Sequence, residues 1–226
     1  LSYFISFILL SAIVLLLILQ PDLGQSILLI CTWISLIFVS GVNILFLFLL
    51  FIFVIFLFLI LLYLAPEKFS YIITRITSFF DPTKTNNSQS QKAIEAIKQG
   101  GLKGEGMGEG ILKESVPEAH TDYIIAVISE EFGSIVSIFV ISIFLFIAFR
   151  IVKKIINSSN NFYKLSLCGL SSLLVFQTFI HVGVNANLLP TTGMTLPFLS
   201  YGGSSLLSSG VLAGVILNYT SLGVKN

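Results

Sequence analysis

The residues best equipped for chemistry lie in the stretch KESVPEAHTDYIIAVISEEFG, residues 113–133. Pro117 closes a polar segment there and an apolar run starts at Tyr123, so Asp122 stands at the boundary between the two. A carboxylate so placed has two uses. It can cap the following helix, accepting from first-turn amides at the positive end of the helix dipole. Held within hydrogen-bond reach of a hydroxyl, it can instead take the proton as a general base. Glu130 and Glu131 follow eight and nine residues later, roughly 12–13 Å deeper if the helix is continuous. Carboxylates facing lipid at that depth are costly, so they call for helix-to-helix hydrogen bonds or a water-filled groove.

Other polar residues are scattered along apolar runs. In QPDLGQS, Asp22 follows Pro21 at a position suited to helix capping. His181, Asn185 and Asn187 sit near the end of another run, and a lone histidine with no second one at helical spacing suits hydrogen-bonded packing better than metal ligation. Gly202 to Ser205 are small enough to let two helices approach closely. The run GGLKGEGMGEG, residues 100–110, has no preceding strand and no Gly-Lys-Ser/Thr ending, which excludes a nucleotide-binding loop. Such a run is either flexible or shaped around something. Cys31 and Cys168 each stand alone in an apolar run and read as packing residues.

These residues must be positioned by a membrane bundle. Of 226 residues, 55% are apolar and 10% charged, with a mean hydropathy of +0.99, too apolar for a water-soluble surface. The expected fold is an all-α polytopic integral membrane protein with about six transmembrane helices: Tyr3–Leu19, Leu23–Ser40, Ile44–Leu64, Tyr123–Phe149, Leu165–Ala186 and Leu196–Tyr219. Ser171, Ser172, Gln177, Thr178 and His181 dilute the fifth, which a helix facing other helices tolerates. The chain divides into three spans over residues 1–64, a loop over 65–121 and three spans over 122–226, one domain overall.

The loop after span four carries Arg150, Lys153, Lys154 and Lys164 with no acid, which marks that side as cytoplasmic. Alternation then puts Gln20–Asp22, the 65–121 segment and Leu188–Thr195 on the outer face together. In the long loop, Phe69, Ile72, Ile73, Ile76 and Phe80 recur at helical spacing beside Arg75, the pattern of a helix lying in the membrane interface. A second helix is expected over Ser90–Gln99, capped by Ser88 or Ser90 and stopped by Gly100-Gly101.

Taken together, these pieces resemble the SEDS family (shape, elongation, division and sporulation) of membrane glycosyltransferases. QPDLGQS, the FDP at Phe80–Pro82, GGLKGEGMGEG, PEAHTDYI with SEEFG, and GMTLPFLSYGGSS occur in the family's order along the whole chain. The PEAHTD wording and the glycine run ending in Gly-Ile-Leu-Lys are more similar to the division branch than to the elongation branch. Family members have ten spans, so the resemblance implies that these six are spans five to ten and that four precede them.

The implied activity is polymerisation of lipid II, a disaccharide-pentapeptide on undecaprenyl diphosphate, at the outer face of the bacterial cytoplasmic membrane and at the division septum. A sugar hydroxyl needs a base, whereas a diphosphate leaving group needs charge neutralisation rather than a proton, so one carboxylate suffices where glycosidases use two. The aspartate of the family's H-T-D segment lands on Asp122, which the resemblance makes the general base. Glu114 matches a further functional acid, and Lys113 or a divalent cation, Mg or Mn, would balance the diphosphate. His120, Thr121, Glu130, Glu131, Asp22, Gln91, Asn185 and Ser204 complete the expected substrate-contacting set. The implied partners are a class B penicillin-binding protein transpeptidase, other division proteins and membrane lipids. The net charge of +1 gives no reason to expect nucleic acid. The competing readings are a flippase for the same lipid, with Glu130 and Glu131 forming a polar path, and a non-catalytic scaffold that activates the transpeptidase.

Overall fold

The computed structural model describes residues 2–64, 69–80, 88–111, 116–158 and 160–222. These are helical with irregular connections and contain no strand. In chain order the helices are α1 (Ser2–Leu19), α2 (Leu23–Val39), α3 (Ile44–Leu64), α4 (Ser70–Phe80), α5 (Ser88–Gly100), α6 (Ile124–Phe132), α7 (Ser134–Asn157), α8 (Asn161–Asn185) and α9 (Gly203–Leu222).

Spans one to three match the hydropathy reading closely. Asp22 caps α2, its Oδ1 accepting from Gln25 N at 3.0 Å. Gly41 turns the chain at φ 87°, and Asn43 Oδ1 accepts from Leu45 N at 2.9 Å to start α3. On α3, Phe48, Phe51 and Ile52 are about half exposed, which suits a lipid environment and not water.

The fifth predicted span is the hub. α8 packs against α2, α5, α6, α7 and α9, so the polar residues that dilute its hydropathy lie inside the bundle, with Ser171, Thr178, His181 and Asn185 all buried. Ser171 and Thr178 return their hydroxyls to the backbone carbonyls of Cys168 and Leu174, at 3.1 and 2.8 Å. Helices α7 and α8 are each long and apolar enough to cross a bilayer, and Tyr3–Leu19, Leu23–Val39 and Ile44–Phe56 are shorter apolar helices.

The fourth predicted span is corrected. It is not one helix from Tyr123 to Phe149 but two, broken at Gly133, whose φ is 86°. Ser129 and Ser137 Oγ lie 2.7 Å apart, although residues eight apart in a straight helix are separated by roughly 12 Å. The chain therefore turns sharply between α6 and α7. Hydropathy misses this because both pieces are apolar and the glycine is a single residue. Glu130 and Glu131 consequently belong to a nine-residue helix ahead of the spanning segment. The sixth span also starts later than expected: Leu196–Tyr201 is a turn, and α9 begins at Gly203.

The glycine run is shaped around that break. A Cβ on Gly100 or Gly104 would run into the backbone of Ser129 or Glu131, and one on Gly133 into Leu102. Glu105 N and Gly106 N donate to the carbonyls of Glu130 and Glu131, at 2.9 and 3.0 Å, and Ser134 N donates to Gly101 O at 2.9 Å. Backbone meets backbone here, which is why side chains are absent from the contact.

Candidate active site

Asp122 sits in the turn before α6, and that turn is held by its carbonyls. Three consecutive ones accept bonds from distant segments: His120 O from Tyr201 N at 2.9 Å, Thr121 O from Ser200 Oγ at 2.6 Å, and Asp122 O from Asn185 Nδ2 at 2.9 Å. Asn185 is fully buried at the end of α8. Its Nδ2 also donates to His181 O at 2.9 Å, and its Oδ1 accepts from Ala126 N at 3.1 Å.

That last bond answers whether Asp122 is a cap. The first turn of α6 is capped from another helix, by Asn185, while Tyr123 at the N-cap position makes no side-chain capping bond. The carboxylate of Asp122 is left for other work. His181 extends the support: its Nδ1 donates to Met194 O at 2.7 Å, which anchors the loop 191–194 beside Asp122. Gly24 of the QPDLGQS motif lets the same loop approach α2, since a Cβ there would lie 2.5 Å from Met194 Cγ.

The Asp122 carboxylate faces a cavity of about 100 Å³ lined also by Arg75 of α4, Gln89 of α5, Tyr123, Val184, Thr191, Thr192, Gly193 and Met194. Three buried polar atoms on this lining have no hydrogen-bond partner: Arg75 Nη1, Tyr123 OH and Thr192 Oγ1. Buried polar groups are nearly always paired, so such a cluster marks a place for a ligand or water. Gly193 has φ 71°, and a Cβ on it would stand 3.6 Å from Asp122 Oδ2.

Burial raises the Asp122 carboxyl above its ordinary value, and the charge of Glu118 adds to this; Arg75 and a hydrogen bond with Thr121 pull it back. Tyr123 is pushed up to about 12, chiefly by burial, so it remains a neutral donor at physiological pH. A half-buried carboxylate moved toward neutrality, beside a guanidinium with a spare N–H, can accept a proton while an anion is held next to it.

The expected site residues separate into groups. Asp122, Thr121, His120 and Asn185 come together, but Thr121 Oγ1 turns to Glu118, at 2.9 Å from Oε2, the His120 side chain is exposed, and Asn185 acts through the backbone. Asp22 serves as the cap of α2. Glu130 and Glu131 do not line the cavity; the Glu130 carboxyl packs on Gly110, and Glu131 Oε1 accepts from Gly108 N at 3.3 Å. Gln91 and Ser204 are exposed and outside the lining. Lys113, Glu114 and, from the FDP motif, Asp81 and Pro82 fall outside the described residues.

Sequence reasoning missed Arg75, Gln89, Tyr123 and Thr192. Arg75 was legible only as the polar face of an interfacial helix, though it is the one arginine between residues 65 and 121. Among the described residues no group of three or more His, Cys, Asp and Glu is arranged to hold a metal. The donor set at the cavity, one carboxylate beside a guanidinium, suits an anion better than a divalent cation.

A family model for FtsW, RodA and SpoVE, described as "Cell cycle protein", matches residues 1–222. The chain belongs to this family. It is similar to proteins named "Probable peptidoglycan glycosyltransferase FtsW": that of Caulobacter vibrioides is 37% identical over 213 residues, covering 94% of this chain and 54% of the relative. The Francisella salina relative is 36% identical over 216 residues, covering 92% and 53%. The chain thus spans about half the length of the curated relatives it matches. A solved structure of a peptidoglycan synthase complex that coordinates polymerization and crosslinking shares the fold over 99% of this chain and 63% of that one, with a TM-score of 0.75 and 24% identity. An aspartate-to-alanine mutant of the rod shape determining protein RodA from Thermus thermophilus matches at a TM-score of 0.58 and 25% identity, over 96% of this chain and 55% of that one.

Proposed function

We propose that the complete protein polymerises lipid II into glycan strands at the outer face of the cytoplasmic membrane, with Asp122 as the general base. The observation that carries this reading is the setting of the Asp122 carboxylate: Asn185 does the capping, and the carboxylate lines a cavity with an unpartnered arginine N–H. In the reaction, Asp122 takes the proton of the acceptor's 4-hydroxyl as that oxygen attacks the anomeric carbon of the donor. The bond from that carbon to the diphosphate breaks, and the diphosphate leaves with its electron pair.

Arg75 supplies the positive charge that meets the leaving group, and Tyr123 OH and Thr192 Oγ1 supply neutral donors. This gives Arg75 the part that the sequence suggested for Lys113. The expected Mg or Mn has no ready-made cage among the described residues, and no step is routed through it. The transporter reading loses its motive, because Glu130 and Glu131 are no longer acids deep in a spanning helix.

The relatives' names support the reaction, and the likeness to a synthase complex that couples polymerization to crosslinking supports a crosslinking partner, a class B penicillin-binding protein. The family's description as a cell cycle protein supports a role at the division septum. The test is a polymerisation assay with full-length protein, its partner and labelled lipid II. Wild type yields glycan ladders on a gel, and Asp122→Asn lowers their rate by about 100-fold or more, the usual contribution of a base. Ladders from Asp122→Asn at the wild-type rate would sink the assignment.

A further inference from the structure

A second cavity, of about 650 Å³, opens at the opposite end of the bundle, between α7, α8 and α9. Its floor is apolar and buried, formed by Ile151, Leu167 and Ile216. Its rim carries Arg150, Lys153 and Lys154 and no acid. Nor does the sequence supply one nearby: no Asp or Glu occurs after Glu131, and the only acid before residue 65 is Asp22 at the far end of α2. Among the described residues, three cations thus border an apolar floor with no carboxylate on its lining.

A second observation bears on where this cavity lies. Tyr219 on its lining stacks edge-on with Tyr163 and Phe162, at ring centroid distances of 5.5 and 6.1 Å. Clustered tyrosines at one end of spanning helices sit at the level of lipid headgroups. Surface cations kept for orientation alone need no cavity; here they ring one that is apolar below and polar above, the shape of a phospholipid.

We propose that this groove binds an anionic phospholipid, its phosphate held by Arg150, Lys153 and Lys154 and one acyl chain laid over Ile151, Leu167 and Ile216. Basic pockets between spanning helices bind anionic headgroups in this way.

The experiment uses full-length protein in phosphatidylcholine nanodiscs doped with cardiolipin or phosphatidylglycerol, extracted gently and weighed by native mass spectrometry. The anionic lipid is retained over phosphatidylcholine. The combined variant Arg150→Gln, Lys153→Gln, Lys154→Gln weakens retention by about tenfold or more. Leu217→Trp, which keeps every charge and fills the groove, weakens it too. Lys164→Gln, a nearby cation outside the cavity, retains lipid like wild type. Retention unchanged in the triple variant or in Leu217→Trp overturns the proposal. So does a wild type that shows no preference for anionic lipid, the result expected if another helix fills the groove.

Discussion

The side-chain amide of Asn185 donates to the backbone carbonyl of Asp122 at 2.9 Å, although 63 residues separate them. The same side chain caps α6 through Ala126 N. One residue therefore fixes the backbone of the proposed base and relieves its carboxylate of capping.

Replacing Asn185 by Leu leaves the part-buried Asp122 carbonyl without its partner, at a cost of about 1–3 kcal/mol, while the Ala126 amide keeps only its 2.9 Å bond to Tyr123 O. The expected result is a lowered melting temperature in detergent together with a loss of polymerisation larger than the loss of folded protein. Activity per folded molecule equal to wild type would mean that Asn185 has no part in positioning Asp122.

The charges around Asp122 predict two opposite shifts in the pH profile. A raised carboxyl must be deprotonated to act, so activity falls as pH drops through its value. Glu118 raises that value and Arg75 lowers it. Glu118→Gln moves the acid limb to lower pH, and Arg75→Gln moves it to higher pH and slows the plateau by removing the charge that meets the diphosphate. Rate against pH in the ladder assay checks both; shifts in the same direction contradict the arrangement.

Asp22 belongs to the expected substrate contacts, yet its carboxylate is spent on Gln25 N. Asp22→Asn keeps a capping acceptor and retains stability, while Asp22→Ala costs about 1 kcal/mol. Polymerisation follows the melting temperature across the pair. A fully stable Asp22→Asn with no activity would restore a direct role.

The glycine run offers a contrast inside one motif. Gly104→Ala drives a methyl into the Glu131 backbone at a φ of 79°, whereas Gly101 has open space and a φ of 54° that asparagine tolerates. Gly104→Ala is expected to destabilise by several kcal/mol and Gly101→Asn by less than about 1 kcal/mol. Thermal unfolding followed by size-exclusion chromatography separates them.

Much of this molecule follows from local physics that a sequence displays. Long apolar runs need a bilayer and must be helical there, since no water satisfies a bare backbone. Capping at Asp22, the Gly41–Asn43 turn, the α5 stop at Gly100-Gly101 and the boundaries of α1 to α3 are all short-range effects. Asp122 was legible as a boundary carboxylate, and its family motif pointed to it. The tertiary structure decided what surrounds it. The break at Gly133 depends on backbone contact with Leu102 and Gly104, some thirty residues away, which hydropathy does not register. Arg75, Gln89 and Thr192 reach the cavity from three separate segments. Sequence alone determined the helices and the Asp22 cap and singled out the candidate base; only tertiary packing showed that Asn185 of α8 caps the helix after Asp122 and that Glu131 holds the glycine run.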